Sequence, residues 1–171
     1  MRKARQENST YLVDTDIAIE QYADMVYRIA VVQMKNKCDA DDVFQEVFLR
    51  LVKYKDSIES DEHLKAWLIR VTINCCNKQF DSAWNKKTTS LETEDNISET
   101  YEMKEQDETV VQAVKQLPDN YKSVIHLFYY EEFSVKEIAK ILEQSESTIK
   151  TRLSRAREML RKNLGGSYDE E

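Results

Sequence analysis

Only two glycines and one proline occur in 171 residues, and this scarcity constrains the fold more than any other feature. Sheets need tight turns, and tight turns draw on glycine and proline for backbone angles that other residues reach at a cost. Ordinary proteins carry about 7% glycine and 5% proline. A chain nearly without them is expected to be all-α, its helices joined by short polar links. Its 41% hydrophobic residues suffice for a core. No run approaches the ~18 apolar residues of a membrane span. The opening "MRKARQENSTYLVDTD" has basic residues without an apolar stretch behind them, unlike a secretory signal.

The net charge of −7 is not spread evenly. Between Thr88 and Glu108 one lysine, Lys104, stands against Glu92, Glu94, Asp95, Glu99, Glu102, Glu105, Asp107 and Glu108, so this segment accounts for the whole excess. With few large apolar residues and no sustained period, it reads as a flexible acidic linker, 88–108. Such a tether spans roughly 25 Å on average, which lets the flanks sit apart on something large. The expected organisation is an N-terminal tail (1–16), a helical domain (17–87), the linker, a second helical domain (109–165) and an acidic C-terminal tail (166–171).

In the first domain Ile19, Tyr22, Met25, Val26, Ile29 and Ala30 keep helical spacing. A second helix is expected to start at Asp39 as N-cap, with Asp41 and Asp42 in the first turn. Its stripe is Val43, Val47 and Leu51, flanked by Phe44 and Phe48. A third helix, about Leu64 to Trp84, carries two apolar stripes and so is expected to be covered on more than one side. In the second domain four helices are expected. Thr109 to Leu117 is followed by Pro118, which suits the opening of the next helix. Ser134 and Glu137 then form a capping box, Glu143-Gln144-Ser145 is a break, and a last helix begins near Glu146 with Ser145 as N-cap.

The last helix places Ile149, Leu153, Ala156 and Leu160 on one narrow stripe and leaves the rest polar and strongly basic. A short helix, a three-residue turn and a second helix of this kind form a helix-turn-helix, whose second helix enters the DNA major groove. Arginine and lysine neutralise phosphates, and small hydroxyl residues let the backbone come close. Cys38, Cys75 and Cys76 have no metal or redox spacing and read as reduced, mostly buried thiols. His63 and His126 are isolated. No nucleophile, metal or phosphate-loop pattern argues for an enzyme, and no cofactor is expected.

Two blocks carry a family resemblance. "DADDVFQEVFLRLVKYKDSI" followed by "HLKAWLIRVTINCCNKQF" is similar to region two of the extracytoplasmic-function (ECF) sigma factors, the small alternative specificity subunits of bacterial RNA polymerase. Its D-x-x-Q-E-x-F core falls at Asp42, Gln45, Glu46 and Phe48, and its W-L-x-R-x-x-x-N run at Trp67, Leu68, Arg70 and Asn74. "LPDNYKSVIHLFYYEEFSVKEIAKILEQSESTIKTRLSRAREML" resembles region four. The resemblance implies that Asp42, Gln45, Glu46, Phe48 and Leu49 dock on the clamp coiled-coil of the polymerase's largest subunit, and that the second domain meets the flap of the second largest. It implies minus-ten recognition and melting by Tyr54, Lys55, Arg70, Asn74 and Lys78. It implies minus-thirty-five recognition by Ser147, Thr148, Lys150, Thr151, Ser154 and Arg155, with Arg157 and Arg161 on phosphates.

Promoter DNA, core polymerase and an anti-sigma factor are the partners so implied, in the cytoplasm and without membrane insertion. The rival from the residues alone is a helix-turn-helix activator that binds DNA without joining polymerase; it leaves the Asp42–Phe48 block unexplained. One departure stands out. The family pattern has glycine where this chain has Glu143, because a left-handed backbone ends the helix there. A non-glycine residue costs on the order of 1 kcal/mol in that conformation, or adopts another turn.

Overall fold

The computed structural model describes residues 10–86 and 105–165. Among them the helices are α1 (Thr15–Gln33), α2 (Lys37–Tyr54), α3 (Asp61–Lys86), α4 (Glu105–Lys115), α5 (Asp119–Tyr129), α6 (Val135–Ile141) and α7 (Glu146–Gly165). One 3-10 turn, Lys55–Ser57, follows α2, and no strand occurs among the described residues. Most of the expected linker, the first nine residues of the expected N-terminal tail and the C-terminal tail lie outside the described residues.

Helix starts differ from the expected ones for local reasons. Asp14 caps α1, its carboxylate accepting from the Asp16 and Ile17 N–H groups, so α1 begins inside the stretch expected as tail. Val13, only 8% exposed, already belongs to the core. The N-cap of α2 is Asn36, not Asp39. Asn36 has an extended backbone and accepts the Asp39 N–H at 2.8 Å, while the Asp39 carboxylate takes the Asn36 amide at 2.9 Å. This reciprocal pairing satisfies two polar groups at once and moves the helix start forward. Likewise Ser60 accepts the His63 N–H at 3.0 Å, and α3 starts at Asp61 rather than Leu64. Helix α4 begins at Glu105, so the last residues of the expected linker are helical.

Helices α1, α2 and α3 pack together around Met25, Val26, Ile29, Val43, Val47, Leu51, Leu68 and Ile69. Tyr22 joins the layer to the start of α3 through a 2.9 Å hydrogen bond to Asp61. The second group forms around α7, whose Ile149, Leu153 and Ala156 meet Val124, Leu127 and Ile138 in one hydrophobic cluster. The two groups are themselves packed together. Helix α1 lies against α4 and α5, and α3 against α6. The second apolar stripe of α3 is explained by this double covering.

Polar groups stitch the two halves. Gln33, 1% exposed, donates to the Ser123 hydroxyl at 2.8 Å. Arg28 of α1 reaches Glu131, just beyond α5, with Nε at 3.1 Å and a second nitrogen at 3.3 Å. The same carboxylate meets His126 Nε2 at 3.2 Å. Burial pushes the Glu131 carboxyl up, but hydrogen bonds from His126 and Arg28 outweigh it and hold the pKa below the usual carboxylate range.

Candidate promoter and polymerase interfaces

The helix-turn-helix is built as its sequence dictates. The Ser134 hydroxyl accepts the Glu137 N–H at 3.2 Å, and Glu137 Oε2 accepts the Ser134 N–H at 2.8 Å. At the other end of α6, the Glu143 N–H meets the Lys140 carbonyl and the Gln144 N–H meets the Ala139 carbonyl at 2.9 Å. That pair of bonds is the Schellman closure of a helix, and it needs a left-handed residue at Glu143. Glu143 adopts φ 55. The glutamate thus keeps the turn that glycine makes elsewhere and accepts the backbone strain. Ser145 caps α7, accepting the Thr148 N–H at 3.1 Å.

The Ile149, Leu153 and Ala156 stripe is buried to 2% or less. It turns the opposite face of α7 outward, where Ser147, Lys150, Thr151, Ser154, Arg155 and Arg161 are all exposed. Two expected contacts are placed differently. Thr148 is half-buried and its hydroxyl pairs with Ser145 at 2.8 Å, so it completes the cap. Arg157 donates to the Tyr129 hydroxyl at 2.7 Å and lies over the Phe128 and Tyr129 rings at 5.5 and 5.6 Å. This contact ties α7 to α5, while the residue itself stays exposed.

On α2, Asp42, Gln45 and Leu49 form one exposed strip, with Leu49 67% exposed. Glu46 borders it and binds Arg50 at 2.6 Å. Val52, 55% exposed, extends the strip by another three positions; its spacing from Leu49 was the available signal. Phe48 does not belong to this surface. It is 7% exposed and its ring packs on Phe44 with centroids 5.0 Å apart. The helix angle of ~100° between neighbouring residues sends Leu49 out and Phe48 in.

The residues expected at the minus-ten element fall into two places. Tyr54 is exposed at the end of α2 and takes Lys53 over its ring, with Lys55 following in the 3-10 turn. Arg70 and Asn74 instead line a cleft of about 410 Å³ between α3 and the second half, together with Asn77, Asp119, Gln144 and Arg152. Arg70 Nε donates to the Ile141 carbonyl at 3.0 Å and Nη1 to Glu143 Oε1 at 2.8 Å. Lys78 is exposed farther along α3. Trp67 is half-buried against the core. Cys75 and Cys76 are buried as expected, whereas Cys38 is exposed. No cluster of metal ligands occurs among the described residues.

Family models agree with this layout. Residues 18–86 match the model "Sigma-70 region 2", and residues 107–160 match "Sigma-70, region 4". The ECF RNA polymerase sigma factor SigW of Bacillus subtilis is 30% identical over 161 residues, covering 85% of this chain and 86% of that one. RNA polymerase sigma factor SigV of the same organism is 30% identical over 168 residues, covering 95% and 96%. The sigma factor RpoE from Bartonella quintana, solved with the anti-sigma factor NepR, superposes with a TM-score of 0.75 at 22% identity, covering 90% of this chain and 97% of that one. With both regions present in order, and near-complete coverage of such relatives, this chain belongs to the sigma-70 family as an ECF RNA polymerase sigma factor.

Proposed function

We propose that this sigma factor directs polymerase to its promoters through three separate surfaces. The exposed α2 strip of Asp42, Gln45, Glu46 and Leu49, extended by Val52, docks on the clamp coiled-coil of core polymerase, with Phe48 supporting it from beneath. The outward face of α7, with Ser147, Lys150, Thr151, Ser154 and Arg155, reads the minus-thirty-five element, and Arg161 meets phosphate. Tyr54, Lys55, Arg70, Asn74 and Lys78 engage the minus-ten element as it melts. Stacking and phosphate contact there offset the few kcal/mol each unstacked base costs. The helical groups α1 to α3 and α4 to α7 act as the two working domains, and the acidic segment between them as their tether through the polymerase. The second domain also meets the flap.

The single observation that carries this reading is the pairing of two outward surfaces in one chain. A basic α7 face lies opposite a buried stripe, and an exposed strip of acidic and apolar residues runs along α2. A DNA-binding activator needs the first and has no use for the second. The chain itself performs no catalysis on this reading and works in the cytoplasm, where polymerase and promoter meet. Since the matching RpoE was solved with NepR, an anti-sigma factor is the expected restraint on this chain too.

The test is run-off transcription with purified core polymerase and a library of promoter fragments. Transcripts that require this chain, lost together with core binding in the Asp42→Lys, Glu46→Lys double variant, support the reading. DNA binding without polymerase association, or unchanged core affinity in the double variant, overturns it.

A further inference from the structure

Glu143 has a second consequence besides its strained backbone. Its side chain is 70% exposed, yet its carboxylate points across to the other half of the molecule and takes Arg70 at 2.8 Å. The same guanidinium also donates from Nε to the Ile141 carbonyl at the end of α6. Arg70 is thus held by a carbonyl on Nε and a carboxylate oxygen on Nη1, and a phosphate oxygen can take the carboxylate's place on Nη1. Glycine at this turn would relieve the left-handed backbone and hold nothing.

We propose that Glu143 is an intramolecular stand-in for promoter phosphate: in the free chain its carboxylate occupies Arg70, keeps the helix-turn-helix turn seated on α3, and so covers part of the minus-ten surface until DNA and polymerase displace it.

Several features of the fold support the latch. Asn74, the next minus-ten residue on α3, faces the same cleft as Arg70. Lys65, on α3, lies over the Phe133 ring at 4.8 Å, tying α3 to the segment just before α6. The Arg28–Glu131 and Gln33–Ser123 pairs hold α1 to α5 on another side. Of these links the Arg70–Glu143 pair is the one that touches a minus-ten residue, and its side chains are 34% and 70% exposed. The inference rests on the reading of Arg70 as a minus-ten contact, and it adds that the chain carries its own first level of restraint.

The test uses the full chain without polymerase, so its outcome is separable from that of the transcription assay. A spin label on the native, exposed Cys38 and another on Asn163→Cys report the distance between the halves by pulsed electron resonance. In the parent chain a dominant short-distance population with a measurable longer-distance minority is expected. Glu143→Gln keeps the turn and the side-chain size but loses the charge. It is expected to raise the open-to-closed ratio about two- to five-fold, the range set by exposed ion pairs. It is also expected to bind a random-sequence single-stranded oligonucleotide tighter by a similar factor. The exchanged pair Arg70→Glu with Glu143→Arg is expected to restore the closed distance distribution while failing to bind the oligonucleotide as Glu143→Gln does. An unchanged distance distribution in Glu143→Gln, or an oligonucleotide affinity equal to that of the parent chain, overturns the proposal.

Discussion

Replacing Glu131 with glutamine tests how the two halves are held together. The carboxylate side chain is 7% exposed and accepts from Arg28 at 3.1 and 3.3 Å and from His126 at 3.2 Å. His126 is 3% exposed. Breaking a buried ion pair by removing one partner costs about 3–5 kcal/mol, because the other charge is left uncompensated. Here Arg28 is 41% exposed in its side chain and can rehydrate, which brings the expectation down to about 1–3 kcal/mol. The loss depends on pH. The Glu131 pKa is lowered on folding, so its ionised form stabilises the native state fully above the unfolded carboxylate pKa. That stabilisation disappears as pH falls through the folded pKa. Glutamine cannot titrate, so the gap between parent and Glu131→Gln should be largest at neutral pH and shrink as pH falls through the lowered Glu131 pKa. Urea unfolding followed by circular dichroism measures it. A lower midpoint with an unchanged slope is expected; a lower slope means that the halves separate before they unfold. Equal stability of the two proteins at neutral pH, or a gap that widens in acid, refutes the reasoning.

Arg155 and Arg157 sit two positions apart and are expected to behave differently. Arg155→Ala should weaken promoter binding with little change in melting temperature, whereas Arg157→Ala should mainly lower stability, by about 0.5–2 kcal/mol for the cation–π contact; thermal melts and DNA titrations of both variants separate the effects. Burial pushes the Cys76 thiol up to about 12, and Cys75 is raised as well. Alkylation at neutral pH should therefore modify Cys38 first and leave both buried thiols until the chain unfolds, as mass spectrometry of timed samples would show.

Features that depend on neighbouring residues were legible in the sequence. The Ile149, Leu153 and Ala156 stripe, the Ser134–Glu137 capping box and the Ser145 cap are all set within one or two helical turns, and each is present. The two motif blocks likewise located both regions. Errors arose where two local solutions compete. Asn36 and Asp39 both suit an N-cap, and only the reciprocal hydrogen bonds between them decide which one starts α2. Phe48 and Leu49 are adjacent and both apolar. The ~100° step between them sends them to different faces, and the Val43, Val47 and Leu51 stripe that Phe48 flanks marks the buried one. The Arg157 contact with Tyr129 had no local signal, because the partner lies 28 residues earlier on α5.

By itself the sequence determined an all-helical chain, two regions in order, an acidic segment between them and a basic reading helix near the end. Periodicity, capping and charge are local quantities, and a chain so poor in glycine and proline has few other ways to arrange them. Only the tertiary structure decided that the two halves lie against each other and what holds them. Arg28 meets Glu131 across 103 residues and Arg70 meets Glu143 across 73. Pairs at such separations leave no local pattern, because they depend on the burial and crossing of whole helices. The glutamate at the helix-turn-helix bend shows both levels. Its left-handed backbone could be anticipated from the turn, while its partner came from another helix.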